Sequence, residues 1–285
     1  MSKTITVFGG ANMDILGMPG SALRLRDSNI GRVLLRPGGV GRNVACHIAA
    51  LGEACVLLTA FGQDDLSEPL KASCVSAGVD ISAARTVPDA RTGVYLCLHD
   101  ETGDMLAAVN DMAVADALTP DYAASCLPRI NSSALCVVDA NPPAETVEYL
   151  ARNAAVPLLM DPVSCAKLDR VLPVLSCLDA IKPNIHEAMA LTGCRTARDC
   201  AQALLRQGVK RAFISLGAEG LCCADDRGIT LLPVEHPSEA AKTGAGDALC
   251  AGLAVAMAHG ETTLECAKFG MAHAARYLQS EEETP

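Results

Sequence analysis

The run KTGAGDALCAG at residues 242–252 sets one carboxylate, Asp247, directly after three small residues and ahead of an apolar stretch. Two chemistries fit it. Gly and Asp in a turn can satisfy the free N–H groups of a helix's first turn, which is plain capping. Alternatively, the backbone N–H groups of Gly244, Ala245 and Gly246 at a helix start can point at an anion, because small side chains let a phosphate approach. Asp247 beside such an anion hole can take the proton of a hydroxyl whose oxygen attacks the γ-phosphate of a nucleotide. Neither familiar nucleotide loop is present: GxxxxGK[ST] does not occur, and Leu249 stands where the third glycine of a dinucleotide fingerprint belongs.

The elements that must position this run follow from periodicity. The apolar runs TITVFGGAN, ACVLLTAFG, ALCVVDAN, VPLLMDP, LDAIKPN and RAFISLGAEG end in small or polar residues. Between them, GRNVACHIAALG, AETVEYLARNA and ARDCAQALLRQG repeat apolar residues at three- and four-residue spacing, as helices do. Strands alternating with helices predict an α/β fold, a three-layer, Rossmann-like parallel sheet covered on both faces. Ligand chemistry then belongs at the carboxyl ends of the strands, where Asn12, Asp14, Asp139, Asp161, Asn184 and Gly217 fall. Two stretches break the alternation, about 13–37 and 91–112, the second reading as a hairpin around residues 100–103. They predict a small β-sheet lid inserted in a single domain spanning 1–285, with an ordinary surface hairpin as the plainer alternative.

Composition agrees with that plan and narrows the partners. A chain of 285 residues suffices for one large domain. Half the residues are hydrophobic but only 3% aromatic, so Ala, Val, Leu and Ile must build the core. A formal charge of −10 argues against nucleic acid, whose binders concentrate Lys and Arg on one face. MSKTITVF shows no signal-peptide pattern and no apolar run reaches bilayer-spanning length, so a cytoplasmic protein without a membrane partner is expected. There the fourteen scattered cysteines, none in a CxxC pair, read as reduced and buried, and their spacing relative to the six histidines matches no zinc pattern.

PGGVGRNVA at 37–45, KPNIHEA at 182–188, SLGAEG at 215–220 and KTGAGDALCAG occur in that order. On these motifs the sequence resembles the PfkB or ribokinase family of sugar and nucleoside kinases over nearly its whole length. The resemblance implies a ribokinase-like fold, ATP as phosphate donor, Mg²⁺, in some members a monovalent cation such as K⁺, and a homodimer formed through the lid. Within the family, GGANMD at 9–14, DSNIGRVLLRPGGVGRN at 27–43, GDMLAAVNDM at 103–112 and DPVSCAK at 161–167 are similar to the members that phosphorylate the 5′-hydroxyl of pseudouridine. Val40 stands where ribokinases commonly carry Lys. Kinases of uridine, adenosine, ribose or fructose are the alternatives. A non-catalytic nucleoside or sugar sensor is a further one, against which Asp247, the GAG run and NxxE together argue.

Residue by residue, the resemblance implies Asp247 as general base and the Gly244–Ala245–Gly246 backbone as anion hole. Asp14 holds ribose hydroxyls with Asn12 beside it, Gly38 and Gly39 bring backbone close to the sugar, and Asn43 reaches a hydroxyl. A uracil attached through carbon offers two N–H donors and two carbonyl acceptors, so its reader needs both kinds of partner. Asp27, Ser28 and Asn29 supply them, as do Thr92 and Asn110 on the lid, although DSN also fits an Asx-turn. Glu187 with Asn184 organises the water shell of Mg²⁺, or the two form a helix cap. Ser215, Gly217, Gly220 and Thr243 lie along the nucleotide, and His273 borders adenine or packs within its helix. Lys167 and Arg42 neutralise phosphate charge or stay solvated.

Overall fold

Successive residues of a strand face opposite sides of its sheet, and in this chain both sides are apolar. In β1 (Thr4–Phe8), Ile5 and Val7 enter one core while Phe8 enters the other, the pattern of a parallel sheet sandwiched by helices. The computed structural model describes residues 3–234 and 244–282. After β1 the chain runs through β2 (Asn12–Pro19), β3 (Gly31–Gly38), α1 (Val40–Ala50), β4 (Ala54–Leu58) and β5 (Ala60–Phe61). Then come α2 (Ser67–Ser76), β6 (Val79–Asp80), β7 (Arg85–Thr86), β8 (Gly93–His99), β9 (Met105–Asp111) and α3 (Pro120–Asn131). They are followed by β10 (Leu135–Asp139), α4 (Ala144–Asn153), β11 (Leu158–Asp161), β12 (Ala180–Ile181), α5 (Ile185–Thr192) and α6 (Ala197–Arg206). The chain closes with β13 (Arg211–Ser215), β14 (Leu221–Asp225), β15 (Gly228–Leu232), α7 (Ala245–Ala258) and α8 (Thr263–Glu282).

Among the described residues the main sheet has nine strands in the order β15-β14-β13-β12-β11-β10-β1-β4-β6. From β6 to β13 neighbours are parallel. Strands β14 and β15 return antiparallel at the edge. Periodicity predicts only a parallel sheet; the exception arises because two tight turns replace crossover helices, one through Gly217 (φ 61°) and Gly220 (φ 113°) that reverses β13 into β14, the other closed by Gly228 (φ 146°) that returns β15 onto β14. One core is completed by Ala123 and Ile130 of α3, Leu150 of α4, Ala188 of α5 and Leu204 of α6. The opposite core is completed by Ile48 of α1, Leu70 of α2, Leu253 of α7 and Ala267 of α8. Buried cysteines such as Cys136, Cys222 and Cys250 serve in these layers as small apolar residues, and all fourteen cysteines are unpaired. No helix among the described residues is long and apolar enough to cross a membrane.

The two stretches that break the alternation meet in a second sheet of order β3-β2-β8-β9. The pairing of β8 with β2, parallel and in register from Asn12 opposite Gly93 to Gly17 opposite Leu98, ties the hairpin of β8 and β9 to the segment that leaves β1. It is therefore a lid sheet and not a free surface hairpin. Its root lies over the carboxyl ends of β1 and β10, where backbone must pass backbone. Gly39, at φ 96°, starts α1 there, and a β-carbon on it would fall 2.7 Å from the Ala11 α-carbon and 2.8 Å from the Gly10 carbonyl oxygen.

Gly39 and Gly52 both hold positive φ, but only Gly39 is crowded, since nothing lies within 4 Å of a β-carbon on Gly52. Gly52→Ala should cost about 1–2 kcal/mol for the backbone conformation alone. Gly39→Ala should add a further ~1–3 kcal/mol of overpacking. Urea unfolding of both variants checks this, and equal losses would show that the lid root is not tightly packed.

Candidate active site

Four short strand ends and two helix starts converge under the lid. After β1 the chain crosses the sheet end through Gly9 and Gly10, held by Asp139 at the end of β10. Asp139 is fully buried and accepts from Gly10 N at 2.8 Å, from Asn141 N at 2.9 Å and from the Asn141 side chain at 2.9 Å. A β-carbon at Gly9 would lie 2.4 Å from the Asp139 carboxylate, so the crossover needs glycine there. Burial pushes Asp139 above the usual carboxylate range, against the lowering from its N–H donors and from Lys167. Lys167 donates to Asn141 Oδ1, and Arg170 braces the same turn through the carbonyls of Ala140, Asn141 and Pro142. The lysine is thus a partner of the floor rather than a solvated charge.

Asp247 lies in the first turn of α7. That helix starts at Gly244, φ 99°, with no side-chain cap, and Asp247 N closes on Gly244 O at 3.1 Å. Its own carboxyl therefore does not cap the helix, and the N–H groups of Ala245 and Gly246 have no partner among the described residues. Instead Asp247 Oδ2 accepts from Asn43 Nδ2 at 2.9 Å, a contact between α7 and α1. Arg42 orients Asn43, donating to its Oδ1 at 3.1 Å and to Pro37 O at 3.3 Å. Beneath the turn, buried Lys182 pairs with Asp161 at 2.9 Å and donates to Gly246 O at 3.3 Å. A constrained loop follows Asp161: Val163 has φ 67°, uncommon for a β-branched residue, with Ser164 N bonded to Pro162 O at 2.7 Å and Val163 N to Asp161 Oδ1 at 2.9 Å.

This surrounding sets the proton affinity of Asp247. Desolvation of the carboxyl, then the neighbouring Asp161 carboxylate, raise its pKa to about 7, against the lowering from Asn43 and Lys182; Asp139 adds to the rise. A carboxylate near neutrality beside two unpartnered N–H donors can accept a proton while an anion is held within reach. Sequence reasoning placed Asp139 and Asp161 at strand ends without giving them roles, and it passed over Lys182, Asn141 and Arg170. A lysine inside the apolar run LDAIKPN was the available signal for Lys182.

On the other side of α7, Asn184 and Glu187 form a complete capping box at the start of α5: Asn184 Oδ1 accepts from Glu187 N at 2.9 Å and Glu187 Oε2 from Asn184 N at 2.8 Å. Capping and a metal role do not compete for the whole group, because Glu187 is buried near Asp161 and Lys182. Burial raises its pKa, opposed by the Asn184 N–H and increased by Asp161. Ser215 bridges to Asn184 at the end of β13, and Gly217 (φ 61°) and Gly220 (φ 113°) shape the turn into β14. His273 packs edge-on against His47 of α1 within the helical layer. Thr243 lies outside the described residues.

On the lid, Asn12 Nδ2 donates to Asp14 Oδ1 at 2.6 Å, and Gly38 closes over that carboxylate, where a β-carbon would fall 2.4 Å away. Burial raises Asp14, with Asn12 and Arg42 lowering it. Thr92 spends its N–H and hydroxyl on Asp64, at 2.8 and 2.6 Å, which fixes the root of β8. Asn110 is exposed on β9. The DSN triplet lies in an exposed loop and bonds within it: Asp27 accepts from Ser28 N, and the Asn29 amide bonds Arg24 N, Arg24 O and Asp27 O. That is turn chemistry, the local alternative for these residue types.

The model of the pfkB family carbohydrate kinases matches residues 2–284. The chain is 34% identical to pseudouridine kinase of Escherichia coli K12 across 97% of this chain and 91% of that one. It is 26% identical to ribokinase of Haemophilus influenzae across 96% of this chain and 92% of the other. A solved carbohydrate kinase from Agrobacterium tumefaciens superposes with a TM-score of 0.84 at 28% identity, covering 97% and 91% of the two chains.

Asp247 makes two pH dependences. As a base it must be ionised, so kcat/KM should rise with pH through an apparent pKa near 7. Stability runs the other way. The raised folded pKa favours the protonated fold, a contribution complete below the unfolded value near 4 and lost as pH rises to about 7. Asp247→Asn keeps an acceptor for Asn43 and never ionises, so its Tm advantage over wild type should grow from about pH 4 to pH 7 and then level off. A pH-independent Tm difference would mean that the carboxyl is not perturbed.

Proposed function

Because the chain belongs to the pfkB family of carbohydrate kinases, we propose that it transfers the γ-phosphate of ATP to the 5′-hydroxyl of pseudouridine. The observation that carries the transfer chemistry is Asp247, with its pKa raised to about 7, in the same helical turn as the unpartnered N–H groups of Ala245 and Gly246. The nucleoside is favoured by the 34% identity to the Escherichia coli pseudouridine kinase. Uridine, adenosine, ribose and fructose are the competing acceptors.

In this reading Asn12 and Asp14 hold the ribose hydroxyls, which presents the 5′-hydroxyl to Asp247. Asn43 fixes the carboxylate rotamer through its 2.9 Å bond, so the oxygen that accepts the proton is pre-aimed. Asp247 then takes the proton of the hydroxyl as its oxygen bonds the γ-phosphorus, while the bond from that phosphorus to the β,γ-bridging oxygen breaks and ADP leaves with the electron pair. Ala245 and Gly246 donate to the phosphate oxygens, and Lys182 anchors their turn from below through Gly246 O. A sensor would need sugar contacts but no base poised near neutrality.

The donors beside this turn fit a hard divalent cation. Asp161 and Glu187 offer carboxylate oxygens, and their mutual repulsion contributes to the raised pKa of Glu187. Mg²⁺ usually keeps several of its waters and is held by one or two carboxylates together with substrate phosphates. Glu187 and Asn184 would hold Mg²⁺ through water, and the ion would neutralise charge on the phosphate oxygens when bound.

The outer face of the lid supports a homodimer. Val33, Leu35, Leu96, Leu98 and Val109 are all exposed there, and lid-to-lid packing in a second copy would cover them. Leu96→Glu with Val109→Glu should convert a dimer to monomer in light scattering; a wild-type monomer at micromolar concentration would remove this assignment.

The test of function is a coupled phosphorylation assay across the five acceptors, expected to favour pseudouridine. Asp247→Asn should retain ATP binding and lose turnover by on the order of 10²–10⁴. Turnover within about threefold of wild type would reject Asp247 as base, and a preference for ribose or fructose would reject the nucleoside reading.

A further inference from the structure

The inner face of the lid is graded from root to tip, and the grading has the shape of a nucleoside. Residues paired across the four strands share a face, so register divides that face into rows. Nearest the root, Asn12 lies between Gly38 and Gly93, leaving a polar side chain flanked by bare backbone. The next row is polar throughout: Arg36, Asp14, Tyr95 and Asn110. Beyond it lies an apolar row of Leu34, Leu16, Cys97 and Ala108. Met18 and Arg32 follow toward the tip.

Rows are two residues apart, about 6–7 Å along the strand. A pentose on Asn12 and Asp14 occupies the first step and part of the second. A free sugar stops there and leaves the Leu34 and Leu16 row uncovered. A flat base attached to the sugar reaches it. On the β3 side that ground is hollow: a cavity of about 450 Å³ is lined by Arg36, Leu34, Met18 and Arg32 with the loop ends Gly20 and Gly31. The Arg36 guanidinium makes no ion pair or side-chain hydrogen bond among the described residues, although it stands in register with Asp14.

Resting on the reading of the protein as a nucleoside kinase, we propose that Arg36 is its base-reading residue, donating to a ring carbonyl of a uracil-type base that lies against Leu34 in the cavity on the β3 side of the lid's inner face. The Asn29 amide of the DSN loop is bonded within its own turn, whereas the Arg36 side chain is unpartnered among the described residues. A guanidinium has five donors and no acceptor. It matches the carbonyl edges of uracil, whereas adenine has no carbonyl and offers a guanidinium only ring nitrogens beside its exocyclic amine. Arg36 therefore separates bases by their carbonyls, while Asp14, one strand away, holds the sugar common to all of them.

The experiment measures KM and kcat for pseudouridine, uridine, adenosine and ATP in wild type, Arg36→Ala and Arg36→Lys. Arg36 is exposed, so neither change should disturb folding, and thermal melts check this. Arg36→Ala should raise KM for pseudouridine and uridine about 10- to 100-fold, the usual loss for a hydrogen bond to a charged group, while KM for ATP stays within twofold. Arg36→Lys should recover part of the loss. If wild type phosphorylates pseudouridine and Arg36→Ala leaves its KM within twofold, or raises KM for ATP equally, the proposal is overturned and the nucleoside reading stands. A wild-type enzyme inactive on both uracil nucleosides but active on a sugar overturns that reading, and this inference with it.

Discussion

Four carboxylates crowd the carboxyl end of the sheet, and the site is defined by how unequally the fold compensates them. Asp139 receives three N–H donors, two from backbone and one from Asn141. Asp161 has the ammonium of Lys182, which is the only lysine or arginine among the buried described residues. Glu187 is tied into a capping box. Asp247 has one neutral amide, that of Asn43. A buried charge is costly unless paired or well hydrogen-bonded, so the least compensated member is the one whose proton is held most readily near neutrality. The same member sits in the first turn of α7, where the N–H groups of Ala245 and Gly246 have no partner among the described residues. Structural pairing of its neighbours thus produces the reactive group.

That economy works only if the lid root and the sheet ends are close enough to share atoms. Asn43 reaches α7 because α1 starts almost on top of the β1 crossover, and the glycines at 9, 38 and 39 remove the side chains that would hold them apart. Arg42 spans the junction. Its backbone N–H bonds Gly10 O on the crossover at 3.1 Å, and its guanidinium bonds Pro37 O on the lid and Asn43 on the site side. Movement of the lid on its root therefore acts on the Asn43 amide, and through it on Asp247, without a separate linkage. The helix start is thus bonded at once to the β1 crossover, to the lid and, through Asn43, to Asp247.

The layers were legible in the sequence because they depend on short-range periodicity: apolar strand runs, helical spacing and the two polarity-mixed stretches that became the lid. The positions of Asn12, Asp14 and Asp247 were legible because glycine-rich ends mark where the chain turns. What escaped depends on pairings distant in sequence. Lys182 reads as an ordinary charge in AIKPN until β11 and β12 lie side by side and place Asp161 against it. Lys167 reads as a surface charge until the loop after β11 folds back to Asn141. The DSN triplet was ambiguous for a different reason, since its residue types suit both a ligand and a turn, and the local hydrogen bonds form without waiting for a ligand. The antiparallel edge was missed because SLGAEG, which reverses β13 into β14, and DDRG, which returns β15, carry no strong two-residue hairpin pair.

The lid shows how one sheet can serve two surfaces without compromise between them. Side chains alternate strictly, so Asp14, Leu16 and Met18 are fixed toward one face while Ile15 and Gly17 are fixed toward the other. A change of residue on one face leaves the composition of the other intact, but a one-residue slip would exchange the two completely. Register is pinned at the root, where Asn12 stands between Gly38 and Gly93 and only glycine fits under Asp14. The irregularity between Leu98 and His99 falls instead near the tip, past the polar row of Arg36, Asp14, Tyr95 and Asn110. A bulge there can twist the outer edge and leave the polar row in place. The sheet is held most strictly where it meets the chemistry, and it is free to vary where it meets a partner or solvent.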